Sequence, residues 1–272
     1  MKHNDILDTK GLIAKGYQIE FHSHAQAILA LDFPQAWEEL KGTLLNLTIP
    51  IEEIIGSGGG EAKGTQRLRR RLAELGWNKG NFKIEKKIND IPRESISHEV
   101  DHVRIFDGEQ VIALEIEWNN KDPFFDRDLE NFKRLHAEGA ISIGIIITRG
   151  SSLQDEMKGL VRRFLAQRNV VSFADLEQYG VSPTQRQRKA IMKRVERDVN
   201  PLTFSEAFAD GFVADKFGAA TTHWRKLEDR VHRGVGNPCP LILIGLPDQI
   251  VTFEDDVNAV LKEVMEQEDE QN

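Results

Sequence analysis

Two glutamates carry the first chemical signal. In the stretch 111–118 side chains alternate between the faces of an extended strand. Ile112, Leu114, Ile116 and Trp118 form one apolar face, and Val111, Ala113, Glu115 and Glu117 form the other. Two carboxylates on one strand face repel each other, by up to about 1 kcal/mol at cross-strand distances, and folding alone has no use for the pair. A three-residue loop, Asp107-Gly108-Glu109, pairs Phe106 with Gln110 and brings Asp101 opposite Glu115. A four-residue loop turns Asp101 to the other face unless a bulge intervenes. With the shorter loop, Asp101, Glu115 and Glu117 converge as hard oxygen donors suited to Mg²⁺, which takes one or two carboxylates plus waters and substrate phosphate. Such an ion lowers the pKa of a bound water and stabilises an oxyanion leaving phosphorus. The plain alternative is a solvated, charged sheet edge.

Several elements must position these acids. Residues 24–47, with apolar positions at mixed three- and four-residue spacing and an interruption at Pro34, predict helices. Residues 63–75 predict a basic helix ended by Gly76, 82–88 a strand, and 98–106 with 111–118 a hairpin. Residues 126–137 predict an amphipathic helix, with Leu129, Phe132 and Leu135 on its apolar stripe and charge elsewhere. The β-branched run 141–148 predicts a strand buried on both faces. Further helix over 154–167, a short strand at 170–172, basic helix from 180 to about 199, an irregular stretch, and a strand at 241–244 complete an α/β core with a mixed sheet.

The order Glu99-Val100-Asp101, hairpin, Glu115-Ile116-Glu117-Trp118-Asn119-Asn120, helix, Ile145-Ile146-Ile147-Thr148-Arg149-Gly150 resembles the nuclease core of type II restriction endonucleases. It is most similar to the BglII-like family of the PD-(D/E)xK superfamily. The helices of 24–47 with Trp37, and the Gly64-Thr65-Gln66 turn, extend the resemblance over residues 18–150. It implies a restriction-endonuclease-like α/β fold, a central mixed sheet flanked by helices, in a homodimer that hydrolyses phosphodiesters of double-stranded DNA at a short palindrome with Mg²⁺, within a restriction–modification system. Asp101 and Glu115 stand where the family's metal-binding acids stand. Glu117 stands at the position held by lysine in most of the superfamily, where a carboxylate accepts a proton or holds a second metal instead. Asn120 matches an asparagine that the family keeps near DNA, and Lys121 is a candidate for the missing positive charge.

Other segments offer further candidates. Lys63, Arg67, Arg69, Arg70 and Arg71 fall within nine residues that hold no acid, and Arg67 and Arg70 share a face suited to phosphate contacts, which position a duplex without reading it. Glu61, ahead of that helix, is a candidate additional acid. The glycine loop at 56–60 lacks the Gly-Lys-[Ser/Thr] order of a P-loop, so no nucleotide cofactor is expected. In 221–238, guanidinium and amide groups precede a Gly/Asn/Pro turn. Arg230, Arg233 and Asn237 are the candidate base readers there, since arginine pairs with guanine and asparagine with adenine; pairing of those arginines with Glu228, Asp229 and the tail is the alternative. His22 and His24 have no second ligand pair at zinc spacing and read as surface histidines.

The net charge of −8 over 272 residues argues against a polyanion partner only at first sight. Residues 251–272 hold eight acids against one lysine and contribute −7, which leaves the other 250 residues near neutral. Residues 1–250 are expected to form the catalytic and DNA-binding domain, and 251–272 an acidic helix or tail. A lone cysteine, Cys239, excludes a disulfide framework or a cysteine zinc cluster. The absence of an apolar signal segment or membrane-length run leads to an expectation of a cytoplasmic protein with no membrane partner. The rivals are a structure-specific or repair nuclease on the same core and a catalytically inert DNA-binding module.

Overall fold

The computed structural model describes residues 6–56, 62–106 and 110–254. In chain order the elements are α1 (Lys10–Ala14), β1 (Gln18–His22), α2 (Ala25–Asp32), α3 (Pro34–Leu45), β2 (Ile49–Pro50), α4 (Ile51–Ile55), α5 (Lys63–Glu74), β3 (Asn78–Ile88), β4 (Ile91–Phe106) and β5 (Gln110–Glu117). They continue with α6 (Phe124–Ala137), β6 (Ile143–Arg149), α7 (Ser151–Gln167), α8 (Phe173–Glu177), α9 (Gln185–Val195), α10 (Phe204–Lys216), α11 (Trp224–His232), β7 (Leu241–Leu246) and β8 (Val251–Thr252). Of the expected acidic helix or tail, 251–272, Val251 and Thr252 instead form β8, paired parallel with β2, and residues 255–272 lie outside the described residues. Among the described residues no helix is long and apolar enough to cross a membrane.

The chain divides into two compact units, one of residues 1–47, 65–154 and 219–247, the other of 48–64, 155–218 and 248–272. The first holds a six-stranded sheet, among the described residues, in the order β1-β7-β6-β5-β4-β3. The pairs β5/β6 and β6/β7 are parallel, and the flanking pairs are antiparallel. This is the mixed sheet expected from the sequence. Strand β6 is buried throughout, as its continuous β-branched run requires. On one sheet face Phe125, Leu129, Phe132 and Leu135 of α6, with Trp224, Leu227 and Val231 of α11, close over Val111, Ala113, Ile146 and Leu243.

The closeness of α6 to the sheet has a local cause. Gly144 of β6 lies under Phe132, and a Cβ at that position would run into the ring. The glycine weakens the strand but lets the helix settle directly on β6. On the opposite side, Glu39 of α3 accepts hydrogen bonds from Arg104 Nη2 of β4 at 2.9 Å and from Trp77 Nε1 at 2.8 Å, which ties a helix to the outer strands.

Four local features depart from the sequence reading. Strand β1, unassigned there, pairs antiparallel with β7. Strand β4 begins at Ile91, because Asn89 and Asp90 adopt positive φ of 51° and 63° and close a two-residue hairpin with β3. No strand forms at 170–172; Ser172 caps α8 through a reciprocal capping box with Asp175, and Val171 is exposed. The stretch after 199 is not irregular either. In the second unit Thr203 and Glu206 form a capping box that starts α10, and Phe204, Phe208 and Phe212 stack along that helix.

Replacing Gly144 with alanine is expected to destabilise the protein by about 1–3 kcal/mol, as overpacking does. A lower urea midpoint with an unchanged slope is the expected record; an unchanged midpoint contradicts the packing account.

Candidate active site

Strand β5 ends in the two glutamates, and its register with its neighbours sets their surroundings. Phe106 pairs with Gln110 and His102 with Leu114, the pairing that a three-residue connection dictates, although residues 107–109 lie outside the described residues. That ladder ends at His102, and Asp101, one residue before it, lies within hydrogen-bonding reach of Glu115. The ladder between β3 and β4 shifts here, pairing Asn78 with Val103 but Gly80 with Val100. Asp101 and His102 therefore oppose Lys79 alone. Such a bulge re-aims side chains: His102 is buried and Asp101 is exposed.

Glu115 and Glu117 are 4% and 3% exposed, which excludes the solvated sheet edge. Burial, the charges of Asp128 and Asp101, a hydrogen bond that protonated Glu115 donates to Asp101, and the charge of Glu117 push the Glu115 carboxyl up to about 10. Glu117 is also raised, by burial and by Asp128, against the pull of Asn120 and Arg127. This is a group of acids held together against their own repulsion. Perturbation of that kind is characteristic of functional sites.

Asp128 was not anticipated. It lies on the buried stripe of α6 beside Phe125, Leu129 and Phe132 and is 1% exposed. The sequence signal was its spacing, three residues after Phe125 and four before Phe132, at a position where an amphipathic helix carries an apolar residue. Arg127 Nε and Nη2 donate to Asp128 Oδ1 at 2.8 and 2.7 Å, and Nη2 lies 3.6 Å from Glu117 Oε1. Asp128 Oδ2 is buried without a hydrogen-bond donor unless it shares a proton with Glu117.

The chain beyond β5 is fastened by polar contacts. Thr148 Oγ1 donates to the Glu117 carbonyl at 2.7 Å. Arg149, wholly buried, donates to the carbonyls of Trp118 at 2.8 Å and Thr222 at 2.7 Å. The Asn120 carbonyl accepts from the Thr222 N–H at 2.8 Å, its own N–H donates to Thr222 Oγ1 at 3.1 Å, and its Nδ2 donates to Glu117 Oε2 at 2.7 Å. The site thus brings together Asp101, Glu115, Glu117 and Asn120 of the sequence candidates, and adds Asp128 and Arg127. Lys121 is exposed, with its backbone bridged to Thr221.

The remaining candidates stand as follows. Arg67 is half-buried and Arg70 exposed on α5. Arg230 is buried and held by Asp126 at 2.9 Å and Asp122 at 3.4 Å. These contacts tie α11 to the start of α6. Arg233 is exposed and paired with Asp229 at 2.7 Å; Asn237 is exposed in the turn before Pro238. His22 pairs with Glu20. Glu61 lies outside the described residues.

A divalent cation suits this donor set. Among the described residues no three His, Cys, Asp or Glu side chains are grouped so as to hold a metal ion; the hard oxygen donors expected to hold one are Asp101 and Glu115, two carboxylates. That number is what Mg²⁺ takes when waters and phosphate complete its octahedron. The raised carboxyls of Glu115 and the buried Asp128 mark a place short of positive charge.

Comparison with curated proteins finds no match. The family model for the restriction endonuclease BglII/BglIII matches residues 17–246, which include the whole sheet of the first unit and every acid of the cluster. A match over most of its length means that the chain belongs to the BglII/BglIII restriction endonuclease family.

Proposed function

We propose that this nuclease is a type II site-specific deoxyribonuclease that cuts double-stranded DNA at a short palindrome with Mg²⁺. It would act as a homodimer within a restriction–modification system, in the cytoplasm. The observation that carries this reading is the buried acid cluster at the end of β5, in a chain of a restriction endonuclease family. Asp101 and Glu115 would hold the cation, which when bound supplies Lewis-acid stabilisation of charge at phosphorus and acidifies water. Glu117, its carboxyl raised by burial and oriented by Asn120, accepts or holds a proton beside the attacked phosphate. The Thr148, Arg149 and Thr222 contacts keep the end of β5 from shifting, and such positioning is worth as much as the acids themselves. Arg67 and Arg70 contribute positive charge toward phosphates, Lys121 lies beside the site, and Arg233 and Asn237 are retained as candidate base readers.

Glu115→Ala should lower the cleavage rate on plasmid DNA with Mg²⁺ by about 100-fold or more, while a gel shift with the same DNA persists. Discrete bands from the wild type support a restriction enzyme, smearing or structure-dependent cuts a repair nuclease, and a shift without cutting an inert module. Undiminished cutting by the variant would sink the site assignment.

The charge state gives a second test. Glu115 is raised from 4.5 to about 10, so between those limits the folded protein keeps a proton that the unfolded chain has lost. Stability must therefore fall as pH rises through that window. Without metal, Glu115→Gln is expected to be more stable than wild type at pH 9 and little different at pH 4, by urea unfolding. Adding Mg²⁺ at pH 8 should stabilise wild type more than the glutamine variant. Parallel stability curves for the two proteins would contradict the buried-acid account.

A further inference from the structure

The acids at the end of β5 must admit a phosphodiester, which is itself an anion. A cation is needed at the same place, and the strand that carries the acids does not offer one at this site. The guanidinium of Arg127 does stand there, 3.6 Å from Glu117. Its side chain is 53% exposed, so an incoming oxygen can reach it. The Phe124 ring lies 4.4 Å from its centre, and Asp128 accepts from both Nε and Nη2. A guanidinium has five N–H donors in a fixed fork, so these contacts orient it without exhausting it.

Asp128 makes little sense as a device for stability. It sits in the apolar stripe of α6, 1% exposed, with no donor to Oδ2 other than a proton shared with Glu117. Burying a carboxylate under those conditions is costly even with one cation partner. An apolar side chain would serve folding better at that place.

We infer that Asp128 is a positioning residue that seats the Arg127 guanidinium beside Glu117, so that Arg127, a catalytic residue from α6, receives the phosphate. This rests on the phosphodiesterase reading of the site and adds to it the source of positive charge. Asp128 reaches the phosphate only through Arg127, while its charge also raises the Glu115 and Glu117 carboxyls; Arg127 touches the phosphate and balances charge gathering on its oxygens during attack.

A double-mutant cycle read by single-turnover cleavage of plasmid DNA tests it. Arg127→Ala and Asp128→Asn should each slow cleavage by about 100-fold, with binding to a duplex spanning the mapped cut site, measured with Ca²⁺, little changed. The double variant should be no slower than Arg127→Ala alone. Guanidinium chloride at low concentration should restore part of the activity of Arg127→Ala and not that of Glu115→Ala. Asp128→Leu, which fits the apolar stripe, should melt higher than wild type yet cut as slowly as Asp128→Asn; this separates positioning from folding. Multiplying losses in the double variant, or wild-type cutting by Asp128→Leu or Arg127→Ala, would overturn the inference while leaving Glu115 in place. Wild-type cutting by Glu115→Ala would overturn the underlying site as well.

Discussion

The repulsion among Glu115, Glu117 and Asp128 is the interaction around which the first unit is organised. Each is at most 4% exposed, and each has its carboxyl raised by burial before any other cause. Burial penalises their charged forms, so the acids are driven toward protonation, and ionising one without a cation costs several kcal/mol even after relaxation. The surrounding sheet and helix must therefore be rigid enough to hold them. Parallel pairing of β5 with the fully buried β6 supplies that rigidity from one side, and α6 seated on Gly144 supplies it from the other.

The same constraint explains the polar fastening beyond β5. A strand ending in mutually repelling acids would fray, exposing them to water. Instead Thr148 holds the Glu117 carbonyl, and Arg149 gathers the carbonyls of Trp118 and Thr222 into one buried set. Asn120 then reaches back to Glu117 from a loop fixed by Thr222. These groups fix where the acids point. For a hydrolytic site, a displacement of about 1 Å is enough to cost 100-fold in rate.

Much of this arrangement was legible in the residues because strand periodicity is unambiguous here. The alternation in β5 put Glu115 and Glu117 on one face, while the pairing of Phe106 with Gln110 depended on a choice between a three- and a four-residue loop that the residues left open. What stayed hidden had physical reasons. Asp128 is a charged residue on a helix whose other charges face outward, and only its spacing from Phe125 and Phe132 marks it as buried. Arg230 reads from composition as a recognition arginine, but its partners Asp122 and Asp126 lie about a hundred residues away in sequence. Local propensity could not have revealed them. Strand β1 alternates polar and apolar residues from Gln18 to His22, but over only five residues, and all of them are half-buried. Helix α10, by contrast, was announced by Thr203 and Glu206 at capping-box spacing and could have been found.

The central claim is that a cation completes what the buried acids leave unbalanced. Because carboxylates must lose their protons to bind a metal ion, calorimetric titration of Mg²⁺ into the DNA-free protein at pH 8, in buffers of different ionisation enthalpy, counts the protons displaced. Release of about one proton or more per ion is expected from wild type, and distinctly less from Glu115→Gln. Binding without proton release, or the same release from both proteins, would contradict it.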